Sequence, residues 1–76
     1  ALSECEVGFS GVITRVVDSN QAFLSYIDSL GIGLKSTVVV TSVLDFDQSR
    51  VCLFDQSNDC VLSLYASQHL FVKSNV

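Results

Sequence analysis

Apolar residues recur along this chain at two different spacings, and the first is typical of β-strands. Five short stretches are dominated by β-branched and other apolar residues, which strands favour. We therefore predict strands over Val12–Val17, Thr37–Leu44, Arg50–Asp55, Cys60–Leu64 and Leu70–Val72. Turn-forming residues separate them, with the predicted turns Gln56–Asp59 and Ser67–His69 preceding the last two strands.

The second spacing is helical and occupies one segment. Phe23, Ile27 and Leu30 recur at the intervals of one helix face, and Gly31 stands where a helix commonly ends. The pattern predicts a single helix that begins near Gln21 and buries Ile27 and Leu30. A mainly β chain with about five strands, and one α-helix between strands 1 and 2, predicts a small, partly open barrel of the SH3 type.

The turn Gln56–Asp59 also predicts how the third and fourth strands pair. It places Asp55 opposite Cys60 and Cys52 opposite Ser63. Because successive side chains alternate between the two faces of a strand, Cys52 and Cys60 would point to opposite sides of the sheet. The chain has three cysteines in all, without metal-site spacing, so we expect reduced thiols in a cytoplasmic protein.

The chain is short and acidic, which excludes several classes of function. Its 76 residues predict one domain, and four scattered basic residues against eight acidic ones give a net charge of −4. This balance lacks the basic surface that nucleic acids or anionic membranes require. No apolar run is long enough to span a bilayer. The absence of methionine predicts a processed chain or an excised piece of a longer protein.

No residue pattern indicates catalysis. His69 is the only histidine, and nucleophilic catalysis needs a nucleophile, a base and an orienting group in contact. We therefore expect no enzyme activity. Four aspartates of the predicted loops lack the spacing of a calcium-binding loop, so we expect solvated turn residues there. They are Asp45, Asp47, Asp55 and Asp59.

The segment between the first strand and the helix has two interpretations. Asp18 or Ser19 can cap the helix by accepting a backbone N–H from its first turn. Alternatively, the carboxylate of Asp18 and the amide of Gln21 supply two oxygen ligands to a divalent metal ion, with the remaining ligands coming from another domain. The spacing of these residues favours the cap.

Several elements in combination resemble one known family across nearly the whole chain. They are Leu2-Ser3-Glu4, Gly8-x-x-Gly11-x-Ile13, Phe23-Leu24-x-Tyr26-Ile27-x-x-Leu30-Gly31-Ile32, Phe46-Asp47, Leu62-Ser63 and Leu70-Phe71-Val72. Together they resemble a FeoA-like domain, which has an SH3-like fold and occurs as a free-standing protein of ferrous iron transport. It also occurs as the C-terminal domain of metal-dependent repressors of the diphtheria toxin repressor and manganese transport regulator type.

Two segments are more similar to the repressor form: the helix residues Phe23–Ile27 and the loop Asp45–Ser49. The resemblance therefore implies that residues 1–76 are a non-catalytic regulatory domain of a cytoplasmic iron- or manganese-dependent transcriptional repressor. Such a domain docks on the metal-binding and dimerisation domain of its own parent chain and modulates metal-dependent DNA binding. In the diphtheria toxin repressor a Glu-x-x-Gln pair of this domain ligates an ancillary metal that the neighbouring domain mainly holds. Asp18-x-x-Gln21 is similar in spacing and place, with Asp for Glu, so the resemblance implies the same role for Asp18 and Gln21.

Two alternatives stay open, a free-standing FeoA-like accessory protein that binds a ferrous iron transporter and an SH3-like peptide-binding module. On the leading hypothesis the isolated domain holds no cofactor, and Fe²⁺ or Mn²⁺ acts in the parent protein. The domain itself contacts neither nucleic acid nor membrane. One departure from the family concerns Lys35, which stands where glycine is usual and therefore predicts a left-handed turn conformation.

Overall fold

The computed structural model describes residues 1–18 and 20–75. Within them the backbone forms an N-terminal 3-10 turn (Leu2–Glu4), five strands and two helices. The strands are β1 (Ser10–Val16), β2 (Thr37–Val43), β3 (Arg50–Phe54), β4 (Asn58–Leu62) and β5 (Leu70–Ser74). The helices are α1 (Gln21–Ser29), between β1 and β2, and α2 (Leu64–His69), between β4 and β5.

All of these strands join one antiparallel sheet in the order β4-β3-β2-β1-β5. The order leaves β4 and β5 at the two edges, and α2 contacts both edge strands as well as the 3-10 turn. Register shifts within the β1–β5 and β2–β3 pairings mark bulges, which bend and twist strands locally. The predicted fold class, a mainly β, partly open barrel of the SH3 type, is confirmed.

A single apolar core draws residues from every element. The buried members are Leu2, Ile13, Phe23, Ile27, Ile32, Val38, Val40, Cys52, Phe54, Leu62, Ala66 and Leu70. The prediction for Ile27 is therefore confirmed, whereas Leu30 is only half-buried at the end of α1 and packs against the edge of the core. Burial of this apolar surface is the main favourable term in folding.

Helix α1 begins at a cap that the sequence prediction assigned to the wrong residue. The side-chain oxygen of Asn20 accepts the backbone N–H groups of Ala22, at 2.8 Å, and Phe23, at 3.3 Å. Asp18 instead accepts the N–H of Asn20 itself, at 2.8 Å, and so forms the turn that leads into the helix. Ser19, the other predicted cap, lies outside the described residues. Asp18 therefore does not cap the helix.

Two left-handed backbone positions follow α1. Gly31 has a φ of +76° and ends the helix, as predicted. Lys35 has a φ of +72°, which confirms the prediction made from its place in the family pattern. Its N–H donates to the carbonyl oxygen of Ile13 at 2.8 Å, so a bond to β1 holds this unfavourable conformation in place.

The predicted pairing of β3 with β4 is wrong. Cys52 lies opposite Cys60 rather than opposite Ser63, and β4 begins at Asn58 instead of at Cys60. Residues directly opposed across two strands share a face of the sheet, so the two cysteines point to the same side. Both are free thiols in the structure.

The physical reason is the turn between these strands, which spans residues 55–57 rather than the predicted Gln56–Asp59. Asp55 and Gln56 have φ values of +52° and +64°, and the N–H of Ser57 donates to the carbonyl oxygen of Phe54 at 3.1 Å. Two successive positive φ values are the geometry of a type I′ hairpin turn, which glycine and asparagine normally mark. Without those residues the turn could not be placed from the sequence.

Helix α2 replaces a predicted turn at Ser67–His69 and shortens the fourth strand, which was expected to reach Leu64. The hydroxyl of Ser63 accepts the N–H of Ala66 at 3.2 Å and caps this helix. Ala66 and Ser67 are buried against the core. The fold therefore contains a second helix that the sequence prediction missed.

Arg50 is a buried cation on the inward face of β3, with only 7% of its surface exposed. Its Nε donates to the carbonyl oxygen of Cys5 at 3.2 Å, and its Nη1 donates to that of Gln48 at 3.1 Å. The guanidinium thus joins the N-terminal segment to the loop between β2 and β3. Carbonyl dipoles, rather than a carboxylate, solvate its charge.

Candidate metal-binding corner

Asp18 lies between β1 and α1 with its side chain half-buried. Its Oδ1 accepts the Asn20 N–H at 2.8 Å, and its Oδ2 accepts the hydroxyl of Tyr65 at 2.5 Å. Tyr65 is 47 positions further along the chain, so the second bond joins α2 to the start of α1. Together the two bonds fix the orientation of the carboxylate.

Gln21, the other predicted ligand, is the first residue of α1, and its side chain is exposed. It therefore stands at the same junction as Asp18, one residue beyond the Asn20 cap. The structure places both predicted donors at one corner of the fold. Their joint binding of a metal ion stays a prediction.

Three aromatic rings pack beside this carboxylate. Tyr65 and His69 stand four residues apart on α2, which places them on one helix face. Their rings stack with centroids 4.2 Å apart, and Phe23 of α1 meets the Tyr65 ring edge-on at 5.4 Å and the His69 ring at 5.8 Å. This packing of α2 against α1 carries the Tyr65 hydroxyl to Asp18. We call Asp18, Gln21, Phe23, Tyr65 and His69 the Asp18 corner.

A hydrogen bond assigns the tautomer of His69. Its Nδ1 lies 2.7 Å from the carbonyl oxygen of Tyr65. Because a carbonyl oxygen only accepts, Nδ1 carries a proton and donates this hydrogen bond. The carbonyl oxygen of His69 in turn accepts the N–H of Val17 at 2.9 Å. The histidine is thus tied to the end of β1, at the residue next to Asp18.

The Asp18 carboxylate also alters the acidity of its partner. The hydrogen bond to Asp18 raises the pKa of Tyr65 above its usual value of 10.0, with smaller contributions from desolvation and from the negative charge itself. A carboxylate acceptor favours the neutral phenol, which keeps the proton that the bond needs. Tyr65 therefore remains a donor to Asp18 throughout the neutral pH range.

The donors at the corner fit a divalent ion chemically but do not surround one. Carboxylate, amide oxygen and imidazole are ligands that Mn²⁺ and Fe²⁺ accept. Within residues 1–18 and 20–75, however, no group of three or more His, Cys, Asp or Glu side chains is arranged to hold a metal. No pocket opens in this part of the chain either.

Of the four basic residues, Arg15 and Lys73 share a face of the sheet on the adjacent strands β1 and β5. Arg15 lies over the ring of Phe71, with its guanidinium carbon 4.6 Å from the ring centroid, and Arg50 is buried. Lys35 follows α1, and Lys73 lies on the edge strand β5. Phosphate contacts along a nucleic acid need a continuous basic stripe, which these positions do not provide.

Within the described residues, neither helix is long and apolar enough to cross a membrane.

Sequence reasoning missed two members of the Asp18 corner, Tyr65 and His69. Tyr65 and His69 are four residues apart and follow Ser63, a residue type that favours helix caps. This pattern could have indicated α2. The contact with Asp18 itself has no local pattern, because it joins residues 47 positions apart.

Comparison with known families settles what kind of domain this is. A family model described as the FeoA domain matches residues 1–74. The chain belongs to the FeoA domain family. No curated protein matches it. The resemblance drawn from the sequence pattern is therefore confirmed.

Solved structures of two kinds are similar to this FeoA domain. A manganese-dependent transcriptional repressor in complex with manganese is 29% identical over 96% of the chain, with a TM-score of 0.91. A second manganese-dependent transcriptional repressor is 29% identical over 96%, with a TM-score of 0.89. A FeoA protein from Chlorobium tepidum is 15% identical, with a TM-score of 0.86. The match covers 99% of the present chain and 70% of the Chlorobium protein. At that lower identity the likeness shows the fold alone.

The chain spans only part of the repressors that it resembles. It covers 35% of the length of the first and 40% of the length of the second. The rest of each repressor chain has no counterpart in these 76 residues.

Proposed function

We propose that this FeoA domain is a non-catalytic regulatory domain of a cytoplasmic metal-dependent transcriptional repressor. The observation that carries the proposal is its 29% identity to two manganese-dependent repressors over nearly the whole domain. Its identity to the FeoA protein from Chlorobium tepidum is only 15%. In this role the domain docks on the metal-binding and dimerisation domain of its own parent chain.

The charge distribution supports a role without direct DNA contact. Four basic residues stand against eight acidic ones, and one of the four, Arg50, is buried. Contact with DNA phosphates would therefore come from other domains of the parent chain. The acidic surface of the FeoA domain is then free for contacts within the protein.

The Asp18 corner is the surface that we assign to docking. Asp18 and Gln21 supply two oxygen donors, whereas Mn²⁺ and Fe²⁺ take about six ligands. The neighbouring domain would hold the ion mainly through its own side chains, and the FeoA domain would add the carboxylate and the amide. Tyr65 acts as a positioning residue, because its hydroxyl fixes Oδ2 of Asp18 at 2.5 Å.

Such an arrangement couples metal binding to the conformation of the repressor. An ion that is bound more tightly when the FeoA domain is docked favours the docked state by its difference in affinity between the two states. Couplings of this kind are typically about 1–3 kcal/mol, or about 5- to 150-fold in affinity. We therefore expect the domain to tune DNA binding rather than to switch it alone.

Calorimetry with Mn²⁺ tests the shared site. The isolated chain is expected to give little or no heat of binding, because the corner lacks a complete ligand set. In the full-length parent, Asp18→Ala is expected to weaken Mn²⁺-dependent DNA binding within the coupling range above. Asp28→Ala is the control, since Asp28 is an exposed acid on α1 and lies outside the Asp18 corner. A tight 1:1 isotherm from the isolated chain, abolished by Asp18→Ala, would contradict the need for a second domain.

The reading frame that encodes the chain distinguishes the proposal from its rival. A helix-turn-helix encoded upstream of Leu2 is the expected result for a repressor. A frame that encodes only this domain would instead favour a free-standing accessory protein of ferrous iron transport, which the FeoA proteins of similar fold represent. The peptide-binding alternative predicts a groove, and no pocket opens among the described residues.

A further inference from the structure

The β3–β4 hairpin brings two cysteines together that the rest of the molecule does not use. Cys52 and Cys60 are direct partners in the ladder, so both side chains lie on the inward face. Cys52 is fully buried in the core, whereas Cys60 is half-buried at its edge. Both are free thiols. Neither belongs to the Asp18 corner, so the chemistry of this pair is independent of the proposed function.

At directly opposed positions of this kind, the Cα separation suits a disulfide but the Cβ separation is too long without a local movement of the strands. Opposed Cα atoms in an antiparallel pair lie about 4.5–5.5 Å apart, and disulfides accept Cα separations of about 4.4–6.8 Å. The Cβ atoms of opposed residues lie about 4.5–5.5 Å apart, whereas disulfides hold them at about 3.5–4.5 Å. Closure therefore draws the strands together locally. A bond formed under such strain is easily reduced.

We propose that Cys52 and Cys60 are a reversible redox pair that forms an intramolecular disulfide when the protein meets a hydroperoxide. The half-buried Cys60 meets the oxidant first. Its thiolate sulfur attacks one peroxide oxygen, the O–O bond breaks, and the leaving oxygen is protonated to water or, for an organic peroxide, to an alcohol. Cys60 is then a sulfenic acid, oxidised by two electrons.

The second step closes the disulfide bond. The sulfur of Cys52 attacks the sulfur of Cys60, the S–O bond breaks, and the hydroxyl leaves as water with the proton from Cys52. In sum, two thiols lose two hydrogen atoms and the peroxide is reduced. Burial raises the pKa of Cys52 to about 11, which makes its thiolate scarce and leaves the first attack on the oxidant to Cys60.

The remaining cysteine is the competing thiol, since it packs against the same core and adds to the rise in the pKa of Cys52. Cys5 lies in the N-terminal segment, and its thiol donates weakly to the carbonyl oxygen of Ala1 at 3.8 Å. It faces no cysteine in the ladder. Trypsin cleaves after Arg15, Lys35, Arg50 and Lys73, so Cys5 falls in a different peptide from the pair. Residues 51–73 then form one peptide with both members of the pair, and Cys5 lies in residues 1–15.

The test is mass mapping of the wild-type chain after treatment with hydrogen peroxide, in the presence of a metal chelator. Alkylation of the remaining thiols precedes digestion. The expected product is peptide 51–73 lighter by two hydrogen atoms and unalkylated, with Cys5 still alkylated and with dithiothreitol restoring all three thiols. Cys60→Ser is expected to abolish the product, and Cys5→Ser is expected to leave it unchanged.

Several results would overturn the proposal. They are a link between peptides 1–15 and 51–73, a disulfide between two copies of the chain, a sulfinic acid at Cys60 without a link, and three thiols that stay reduced. The wild-type map alone is decisive, so the proposal remains falsifiable if Cys60→Ser does not fold. Circular dichroism of each variant separates loss of folding from loss of the pair.

Discussion

The inward face of β3 and the Asp18 corner each hold a charged side chain, but the two side chains differ in burial and in the groups that bind them. Arg50 is 7% exposed and directs two donors at main-chain carbonyl oxygens. Asp18 is half-buried and accepts from a backbone N–H and from a tyrosine hydroxyl. The buried cation holds two segments of the chain together. The carboxylate stays near the surface, where it is oriented and can still meet a partner.

The two regions differ in what a substitution is expected to change. Arg50 shares the inward face of β3 with the core residues Cys52 and Phe54. At the Asp18 corner, the rings of Tyr65 and His69 are stacked but partly exposed. Substitutions in the first region should therefore change the free energy of unfolding. Substitutions in the second should change metal-dependent behaviour of the parent protein more than folding.

The largest expected effect separates two phenylalanines. Phe54→Ala should lower the free energy of unfolding by about 3–5 kcal/mol, because it empties a fully buried core position. Phe46→Ala, at a side chain that is 98% exposed, should change it by less than about 0.5 kcal/mol. Urea melts of the two variants measure the difference. Equal shifts in the midpoint would mean that the core has been placed wrongly.

Arg50→Met is the next test, since it keeps much of the side-chain volume and removes the donors. The carbonyl oxygens of Cys5 and Gln48 lose their partners, so we expect a loss of about 1.5–3 kcal/mol in the free energy of unfolding. Arg15→Met is the matched control, with an expected loss of about 0.5–1 kcal/mol from the contact with Phe71. A larger loss for Arg15→Met than for Arg50→Met would reverse the assignment.

The third test compares how much Asn20 and Asp18 each contribute to the free energy of unfolding. Asn20→Ala should cost about 0.5–2 kcal/mol in urea melts of the isolated chain, because it removes the cap of α1. Asp18→Ala should cost less, since the groups that it leaves are exposed and can bind water. If Asp18→Ala destabilises the chain more than Asn20→Ala, then Asp18 has mainly a structural role.

The smallest expected effect is a dependence on pH. Because the folded-state pKa of Tyr65 is raised, its hydrogen bond stabilises the fold fully below the unfolded pKa of 10.0, and this contribution is lost as pH rises through the higher folded value. The stability difference between wild type and Tyr65→Phe should therefore shrink above about pH 10. Tyr26→Phe, at the other tyrosine, is the control variant. A difference that grows with pH would contradict the bond to Asp18.

Local features of the fold could be predicted from the sequence because they leave local patterns. The spacing of Phe23 and Ile27 indicated α1, and Gly31 marked its end. The left-handed conformation of Lys35 followed from a glycine that the family usually has there. The first two predictions depend on residues within a few positions of one another, whereas the third depends on the family resemblance.

The features that were missed depend on geometry that the sequence does not mark. The hairpin turn uses positive φ values at Asp55 and Gln56, which carry no glycine, so the register of β4 was misplaced. Helix α2 has only six residues, too few for a clear periodicity. Without α2, the contact between Tyr65 and Asp18 could not be foreseen. Two of the five residues of the Asp18 corner, Tyr65 and His69, were therefore placed there only by the three-dimensional structure.

The place of α2 between the two edge strands has a consequence for how the protein behaves in concentrated solution. Unpaired strand edges are templates on which other chains can add strands, and proteins protect them with covering elements. Here one short helix follows β4 directly, precedes β5 directly and contacts both. Any event that loosens α2 removes its contacts with both edge strands at once. We therefore expect self-association of the native-like chain to begin at this helix, before the core itself melts.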